Sequence, residues 1–251
     1  MTTIARPSVA SLYLVPRANS ADLSTATGFV VERSGTSYLV TNYHVIAARD
    51  PTSGANLHAS GAWPDELVVL HNVAGKLGTW QARFEPVRDA DGPLWLTHPV
   101  HGRAVDVVAL PLTQLDGVDV YAHSLEPGPD VAVGVSRPVS IVGFPFGRTG
   151  GGAFGIWVQG TVASEPEVNF DDLPCFLIDS RTRPGQSGSP VIFFSTGGAI
   201  SMADGNTAVL GQVEKLLGVY SGRIHPESDL GVVWRREVVS EIIEGAVRGT
   251  D

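Results

Sequence analysis

The stretch that decides the fold is Gly185-Gln186-Ser187-Gly188-Ser189-Pro190, which the apolar run Val191–Phe194 follows directly. It places a serine inside a turn bracketed by glycines, at the start of a buried-strand pattern. A serine hydroxyl is a poor nucleophile unless a base removes its proton and donors stabilise the oxyanion that its attack creates. A nucleophilic function for Ser187 therefore requires a base and an oxyanion site elsewhere in the chain.

Two upstream segments contain the other groups that acyl transfer needs. His44 lies in Thr41–Ile46, at the predicted end of a half-buried strand, and Asp106 opens the apolar run Val107–Leu110. An imidazole can take the serine proton, and a partly shielded carboxylate can fix the tautomer of that imidazole. Asp50 is nearer to His44 along the chain, but the proline that follows it favours a turn. Asp106 is therefore the predicted partner of His44.

The serine turn itself can contain the two backbone donors of an oxyanion site. Gly185 lacks a Cβ, so it can adopt the backbone conformation that directs its N–H toward the site, and Pro184 restricts the turn before it. The N–H groups of Gly185 and Ser187 are the predicted donors. Ser221 is expected to donate a second hydrogen bond to the Asp106 carboxylate.

Short β-branched runs separated by turn residues dominate the sequence, which contains 29 glycines and 17 prolines. This pattern favours an all-β fold of barrels or sandwiches. Arg33–Thr36 is a predicted hairpin turn. The predicted strands are Gly28–Glu32, Tyr38–Thr41, Leu67–Leu70, Trp80–Phe84, Val105–Leu110, Val131–Ser136, Ser140–Phe144, Ile156–Ala163, Cys175–Asp179, Pro190–Phe194, Leu216–Ser221 and Gly231–Trp234.

One helix is predicted near the end of the chain, from Arg235 to about Val247, and we expect it to dock on a barrel. Its apolar residues recur at helical spacing on one stripe. They are Val238, Val239, Ile242, Ile243 and Ala246. The stretch Leu112–Pro129 is rich in turn residues and is the predicted linker between two lobes.

The composition is that of an acidic globular protein with 251 residues, 43% of them hydrophobic, and a net charge of −9. The acidic balance argues against non-specific binding to nucleic acid or to anionic membranes. Cys175 is the only cysteine, which excludes an intrachain disulfide and a cysteine-based zinc site. Val9–Val15 predicts an N-terminal strand rather than a signal peptide, and the chain lacks a run of 18 apolar residues. These features favour a cytoplasmic location.

Together the blocks resemble chymotrypsin-fold (trypsin-like) serine proteases, and more closely the bacterial HtrA-type branch than the digestive branch. Thr41–Ile46 is similar to that branch's Thr-Asn-x-His-Val block, and Asp106–Leu110 to its Asp-hydrophobic-Ala-Leu block. Gly143–Gly147 resembles its Gly-Asn-Pro-Phe-Gly turn, and Gly185–Pro190 matches its nucleophile motif. Four blocks in the right order, over about Gly28–Trp234, make a specific signal.

The resemblance implies two antiparallel six-stranded β-barrels with a C-terminal α-helix, and an active site in the cleft between them. Residues 1–115 would form the N-terminal barrel with His44 and Asp106, and residues 116–251 the C-terminal barrel with Ser187. The implied activity is hydrolysis of proteins or peptides by a serine endopeptidase that needs no metal or organic cofactor. His98 and His101 are accordingly interpreted as residues of a solvated loop, not as metal ligands.

Gln186 departs from the digestive enzymes, which carry an aspartate at this position. That aspartate pairs with a new N-terminal amine after zymogen cleavage, and glutamine cannot form this ion pair. We therefore expect no zymogen cleavage, and an activity that depends on the order of the loops Phe146–Phe154 and Ser180–Gln186. The HtrA-type branch usually carries a PDZ domain after the protease. Here such a module is expected to be absent or supplied by a regulatory protein partner.

The resemblance also places five residues in the primary substrate pocket. These are Arg181, Thr182, Tyr220, Ser221 and Arg223. The arginines, with Arg183 nearby, would suit an acidic substrate side chain, although arginines that face solvent or pair with Asp179 and Asp229 are the more frequent arrangement. In the remaining interpretation, Tyr220 forms the floor of a small apolar pocket.

Three other functions are compatible with the same residues. A pseudoprotease would bind peptides in the cleft behind a collapsed oxyanion loop. An effector protease would stay inactive until a partner ordered its loops. An esterase would use the same three side chains on a different acyl group.

Overall fold

The computed structural model describes residues 4–250 and consists mainly of antiparallel β-strands. The predicted all-β class with a C-terminal helix is confirmed. Residues 1–3 and residue 251, which form the ends of the two predicted barrels, lie outside the described residues. Within residues 4–250, no helix is long and apolar enough to cross a membrane.

The first half of the chain builds one large antiparallel sheet. Its elements are β1 (Ser11–Ala18), β2 (Ala21–Asp22), β3 (Ala26–Arg33), β4 (Thr36–Thr41), β5 (Glu66–Val73), β6 (Trp80–Pro86), β9 (Leu96–Thr97), β10 (Val108–Pro111) and β11 (Val118–Asp119), with β7 (Arg88–Asp89) and β8 (Gly92–Pro93) as a separate small hairpin. In the described residues, the six longer strands run in the order β6-β5-β1-β3-β4-β10. Two-residue strands extend the sheet at its margins.

The second half of the chain forms a closed barrel. The barrel strands are β12 (Pro138–Gly143), β13 (Ile156–Val162), β14 (Cys175–Ser180), β15 (Pro190–Ser195), β18 (Val213–Arg223) and β19 (Leu230–Arg235). The same half of the chain contains a separate hairpin of β16 (Gly198–Ser201) and β17 (Thr207–Leu210), and the strand β20 (Val247–Arg248), which belongs to the first sheet. The closed order is β12-β13-β14-β19-β18-β15, as the predicted six-stranded barrel requires. Ser187 lies just before β15.

Helices are few and short. In residues 4–250 they are α1 (Pro7–Ala10), α2 (Tyr43–Ala47) and α3 (Arg236–Gly245), with one 3-10 turn at Pro145–Gly147. The predicted C-terminal helix is present and buries its apolar stripe except Ala246, which is exposed in a left-handed conformation and ends the helix. Beyond this residue β20 pairs with β9 of the first sheet. The predicted domain boundary at residues 115 and 116 stays a prediction.

The turn between β3 and β4 shows how local sequence sets the register of the first sheet. Ser34 and Gly35 both have positive φ, which is the geometry of a two-residue hairpin turn whose twist matches the strands. The turn pairs Arg33 with Thr36, and the register then places Phe29 opposite Val40. The predicted hairpin is confirmed.

An apolar cluster joins the two halves of the molecule. Phe29 and Val40 from the first sheet, and Val107 from the turn before β10, are fully buried against Val219 of the barrel and Ile242 of α3. Burial of large aliphatic side chains stabilises a fold by about 1.5–3 kcal/mol for each side chain. The cluster therefore fixes how the two sheets meet, and the cleft that carries the site lies at this junction.

Three predicted strands differ from the structure. In Val9–Val15, Val9 and Ala10 belong to α1, and β1 begins only at Ser11. Val131–Ser136 is not a strand, because Ser136 has a positive φ and a turn bond from Arg137 to Gly134 interrupts pairing after one bridge at Val131. Val105–Leu110 becomes a strand only at Val108, since the Val107 N–H donates to the Val105 carbonyl in a tight turn. This turn leaves Asp106 just outside the ladder.

Candidate active site

His44 is positioned by the short helix α2 and not by the end of a strand as predicted. Strand β4 ends at Thr41, Asn42 keeps an extended backbone, and the chain then turns into the helix. The Asn42 side-chain amide donates to the Asp106 carbonyl at 2.6 Å, which ties the start of α2 to the segment before β10. The His44 ring is half-buried and faces the cleft between the sheets.

Asp106 is buried, and its carboxylate accepts three hydrogen bonds. His44 Nδ1 lies 2.6 Å from Oδ2, and the His44 N–H donates to Oδ1 at 2.9 Å. Ser221 Oγ donates to Oδ2 at 2.5 Å, as the sequence predicts. A buried carboxylate is strongly destabilising unless donors surround it, so these contacts fix where the imidazole and Ser221 can lie.

The charge of Asp106 also sets the basicity of His44. Burial by itself lowers the pKa of the imidazole, but the Asp106 charge and hydrogen bond outweigh burial. Asp50 adds a smaller effect in the same direction. The pKa of His44 is therefore raised above its ordinary value, which makes the ring a stronger base.

Ser187 shares the cleft with His44. Both line a cavity of about 200 Å³. The Ser187 hydroxyl donates to the Ser221 carbonyl at 3.1 Å. Within residues 4–250, no hydrogen bond joins this hydroxyl to His44, so a rotation of the Ser187 side chain is needed before the two can exchange a proton. Catalytic hydrogen bonds in unliganded sites are often not yet formed.

The predicted oxyanion turn, residues 184–187, has the geometry expected for two backbone N–H groups that are free to donate. Gly185 has φ = +93°, a conformation that favours glycine. The Pro184 carbonyl accepts a hydrogen bond from Phe146 N–H at 2.6 Å, so this trans peptide directs the Gly185 N–H away from Phe146. Across the described chain, the Gly185 and Ser187 N–H groups donate to no other group of the protein.

Gln186 stabilises the same turn through two hydrogen bonds with Arg183. Its N–H donates to the Arg183 carbonyl at 3.2 Å, and its side-chain oxygen accepts from the Arg183 N–H at 2.8 Å. The side chain is fully buried and uncharged. A reciprocal neutral pair therefore occupies the position where the digestive enzymes that the sequence resembles carry an aspartate.

Comparison with known proteins identifies the family of this chain. A family model of the trypsin-like peptidase domain matches residues 26–202. The chain belongs to this family. The matched region contains His44, Asp106 and Ser187 and ends before Ser221. Comparison of this trypsin-like peptidase domain with curated proteins gives no match.

Solved structures are similar to this chain at low sequence identity. A serine endoprotease from Yersinia pestis superimposes with a TM-score of 0.56 at 14% identity, covering 95% of this chain and 63% of that chain. This chain therefore corresponds to less than two thirds of the Yersinia chain. The active form of the Rv3671c protease from M. tuberculosis matches with a TM-score of 0.48 at 18% identity, covering 97% of this chain and 83% of that chain. The Yersinia match shows that the peptidase domain has the fold of a serine endoprotease.

The five predicted pocket residues fall into different environments. Thr182 and Tyr220 are buried and their hydroxyl groups form a hydrogen bond. The Tyr220 ring packs against Gly231, where an added Cβ would meet the ring at 2.5 Å. Arg181 and Arg223 are exposed, and Ser221 lies beside Asp106. The assignment of these residues to a substrate pocket, with Tyr220 as its floor, stays a prediction.

His98 and Asp50 lie apart from the predicted catalytic residues in the sequence-based interpretation. His98 is buried and 2.8 Å from Glu241 of α3, so the expectation of a solvated loop is wrong for this residue. Asp50 accepts hydrogen bonds from Thr52 and Ser53, as a turn residue does. In the described part of the chain, no cluster of three or more His, Cys, Asp or Glu side chains could hold a metal ion.

Thr27 is the important residue that sequence reasoning missed. This buried side chain on β3 donates to the Gly185 carbonyl at 2.8 Å and accepts from the Phe144 N–H at 3.1 Å. Its own N–H donates to the Ser187 carbonyl at 2.9 Å. No local pattern marks it, because each of these three partners lies more than 100 residues away in the chain. Thr27 attaches the oxyanion turn to the first sheet.

We expect Thr27→Val to lower kcat for a peptide substrate by about 10- to 100-fold, since the isosteric side chain loses both hydroxyl bonds that brace the turn. KM should change much less, because the substrate-binding edge is not altered. Steady-state kinetics check this expectation. Thr27→Ser keeps the hydroxyl and should restore most of kcat. A wild-type kcat in Thr27→Val would show that the turn does not depend on this residue.

Proposed function

We propose that this peptidase domain hydrolyses peptide bonds with Ser187 as nucleophile, His44 as general base and Asp106 as the residue that orients His44. The observation that carries the proposal is the buried Asp106 carboxylate, 2.6 Å from His44 Nδ1. This bond leaves Nε2 of the ring as the nitrogen that accepts the Ser187 proton and later protonates the leaving amine. No step in this sequence requires a cofactor.

In this proposal the Gly185 and Ser187 N–H groups stabilise the tetrahedral oxyanion. Their lack of other acceptors within residues 4–250 supports this function, since a preorganised donor acts best when it has no bond to break. Removing one such donor typically lowers kcat by about 10²–10³.

The substrate is an extended protein or peptide segment. Beyond Tyr220, strand β18 has no further pairing with β15 in the described residues, so Ser221–Arg223 presents a strand edge to the cleft. An extended chain can pair with such an edge through backbone hydrogen bonds. A regulatory protein partner and a cytoplasmic location stay predictions.

The nucleophile can be tested directly. Ser187→Ala should abolish labelling by a fluorophosphonate probe and lower turnover of casein or a peptide by a factor on the order of 10⁶. Ser189→Ala is the matched control, because it removes a hydroxyl two residues away and should keep both labelling and turnover. Wild-type protein that fails to react with the probe under any condition would contradict the proposal.

The same experiment separates a peptidase from a catalytically silent pseudoprotease. One specific observation favours a protein without catalytic activity. The Ser187 hydroxyl bonds to the Ser221 carbonyl and not to His44. A pseudoprotease would bind peptides without probe labelling. The free Gly185 N–H argues against it, because a collapsed oxyanion loop would turn this group away from the site.

The pH dependence follows from the raised pKa of His44. Because the ring acts as a base only when neutral, kcat/KM should rise with pH, with an apparent pKa above 6.5. Asp106→Asn removes the charge that opposes burial, so the apparent pKa should fall below that of the wild type, and kcat should drop by roughly 10⁴. Asp50→Asn removes only the smaller effect and should keep most of kcat. An unchanged apparent pKa in Asp106→Asn would contradict this assignment.

We also propose that activity requires no cleavage at the N-terminus, since Gln186 closes the oxyanion turn without an ion pair. Gln186→Met keeps the side-chain volume and loses the acceptor for Arg183 N–H. It should react with the fluorophosphonate about 10- to 100-fold more slowly, because the turn loosens. The exposed Gln212→Met should react like the wild type. N-terminal sequencing of active enzyme that reveals one obligatory cut would overturn the proposal.

A further inference from the structure

His98 is a buried histidine that the proposed mechanism does not use. It directly follows β9, and its side chain is 4% exposed. Its Nδ1 accepts hydrogen bonds from the Val100 and His101 N–H groups, both at 3.2 Å. A ring nitrogen that accepts hydrogen bonds carries no proton, so the proton of this ring is on Nε2. Nε2 lies 2.8 Å from a carboxylate oxygen of Glu241 and donates to it.

This hydrogen bond joins the two halves of the chain. His98 closes a turn of the first half, and Glu241 lies on α3, which follows the last strand of the barrel. Pro99 packs against the same helix, because a Cβ added to Gly245 would meet the proline ring at 2.9 Å. The His101 ring lies beside that of His98, with 5.0 Å between the centroids. The turn after β9 is therefore docked on α3 by a polar and an apolar contact.

A series of backbone hydrogen bonds leads from His98 to Asp106. The Gly102 N–H donates to the His98 carbonyl at 2.9 Å, and the Val105 N–H donates to the Gly102 carbonyl at 3.3 Å. The Val107 N–H then donates to the Val105 carbonyl at 2.8 Å. Asp106 lies inside this last turn. The backbone on both sides of Asp106 is thus bonded, step by step, to the turn that His98 closes.

The apolar stripe of α3 packs on the same segment. Val105 and Val107 flank Asp106, are fully buried, and share an apolar cluster with Val239 and Ile242 of the helix. Apolar contacts are non-directional, so they hold the helix against the segment without fixing its position along it. A hydrogen bond has a narrow range of distance and angle. The bond from His98 to α3 therefore fixes the position that the apolar contacts leave free.

We propose that the bond between His98 and Glu241 is a positioning contact through which α3 holds the Asp106 carboxylate against His44. This inference rests on the proposed function of the cleft, in which Asp106 orients the base. Without this bond, residues 98–107 are held less firmly, and the 2.6 Å contact of the carboxylate with His44 Nδ1 is weakened. A misplacement of about 1 Å caused by a remote substitution can lower activity by about 10². A small displacement of Asp106 is therefore sufficient for a measurable effect.

The test is Glu241→Ala, which removes the acceptor and leaves the turn around His98 intact. The Glu241 side chain is 52% exposed, so its truncation leaves no buried cavity. We expect kcat for a peptide substrate to fall by about 2- to 30-fold, the range of residues that couple distant parts of a protein. The apparent pKa of kcat/KM should also fall, because burial then lowers the pKa of His44 against a weaker effect of Asp106. Glu241→Gln keeps an oxygen acceptor and should restore both quantities.

Glu244→Ala is the matched control. Glu244 is an exposed acid on the same helix and also pairs with the first half of the chain, since it lies 2.6 Å from Arg33 near the β3–β4 turn. This variant should keep the kcat and the apparent pKa of the wild type. Equal losses in Glu241→Ala and Glu244→Ala would show a general loosening of α3 and would overturn the inference. A lower kcat in Glu241→Ala with an unchanged apparent pKa would overturn it as well.

The pKa of His44 can also be measured without catalysis, by NMR titration of the Ser187→Ala protein. Adding Glu241→Ala should lower this pKa, and adding Glu244→Ala should not. The same pKa in both double variants would overturn the inference. A pKa lowered only by Glu241→Ala, in a protein whose wild type neither cleaves peptides nor reacts with the fluorophosphonate, would overturn the proposed function and support the positioning contact.

Discussion

The site depends on one buried charge, the carboxylate of Asp106. A carboxylate removed from water is strongly destabilising unless hydrogen-bond donors replace the lost hydration, and here the donors come from both halves of the molecule. The ring and the N–H of His44 come from α2 in the first half of the chain, and the hydroxyl of Ser221 comes from β18 of the barrel. The Ser221 carbonyl also accepts the Ser187 hydroxyl, so the contacts that solvate one anion bring the proposed base and the proposed nucleophile to the same junction.

The oxyanion turn depends on the same junction through neutral contacts. Thr27 binds Gly185 with its hydroxyl and Ser187 with its N–H, and both bonds cross from the first sheet to the turn before β15. Gly188 is needed for this approach, because a Cβ on it would overlap the Thr27 carbonyl. Two sets of contacts therefore cross the junction, one around a charge and one around a turn. The apolar cluster around Phe29 and Val219 stabilises both at once.

What the sequence predicts and what it misses have a common physical reason. His44, Asp106 and Ser187 stand out because the chemistry restricts each position to one residue type, and each lies beside a recognisable strand pattern. Thr27 is an ordinary β-branched residue in a strand, and only contacts formed on folding give it a further function. The same holds for His98, whose Glu241 partner is remote in sequence. A local sequence pattern predicts secondary-structure elements and reactive residue types. It does not predict which groups that are distant in sequence will form contacts.

In the proposed mechanism, the active geometry of the site depends on how its loops pack, because Gln186 and Arg183 pair through neutral hydrogen bonds. An ion pair that forms after cleavage would act as an irreversible switch. Here the outer support of the turn is the Phe146 N–H, which holds the Pro184 carbonyl. Phe146 has a left-handed backbone and an exposed ring, a combination that costs about 1–3 kcal/mol without burying the side chain. This strain supports the expectation from the sequence that activity depends on the order of the loop Phe146–Phe154, while Asp106 and Thr27 keep the rest of the site in place.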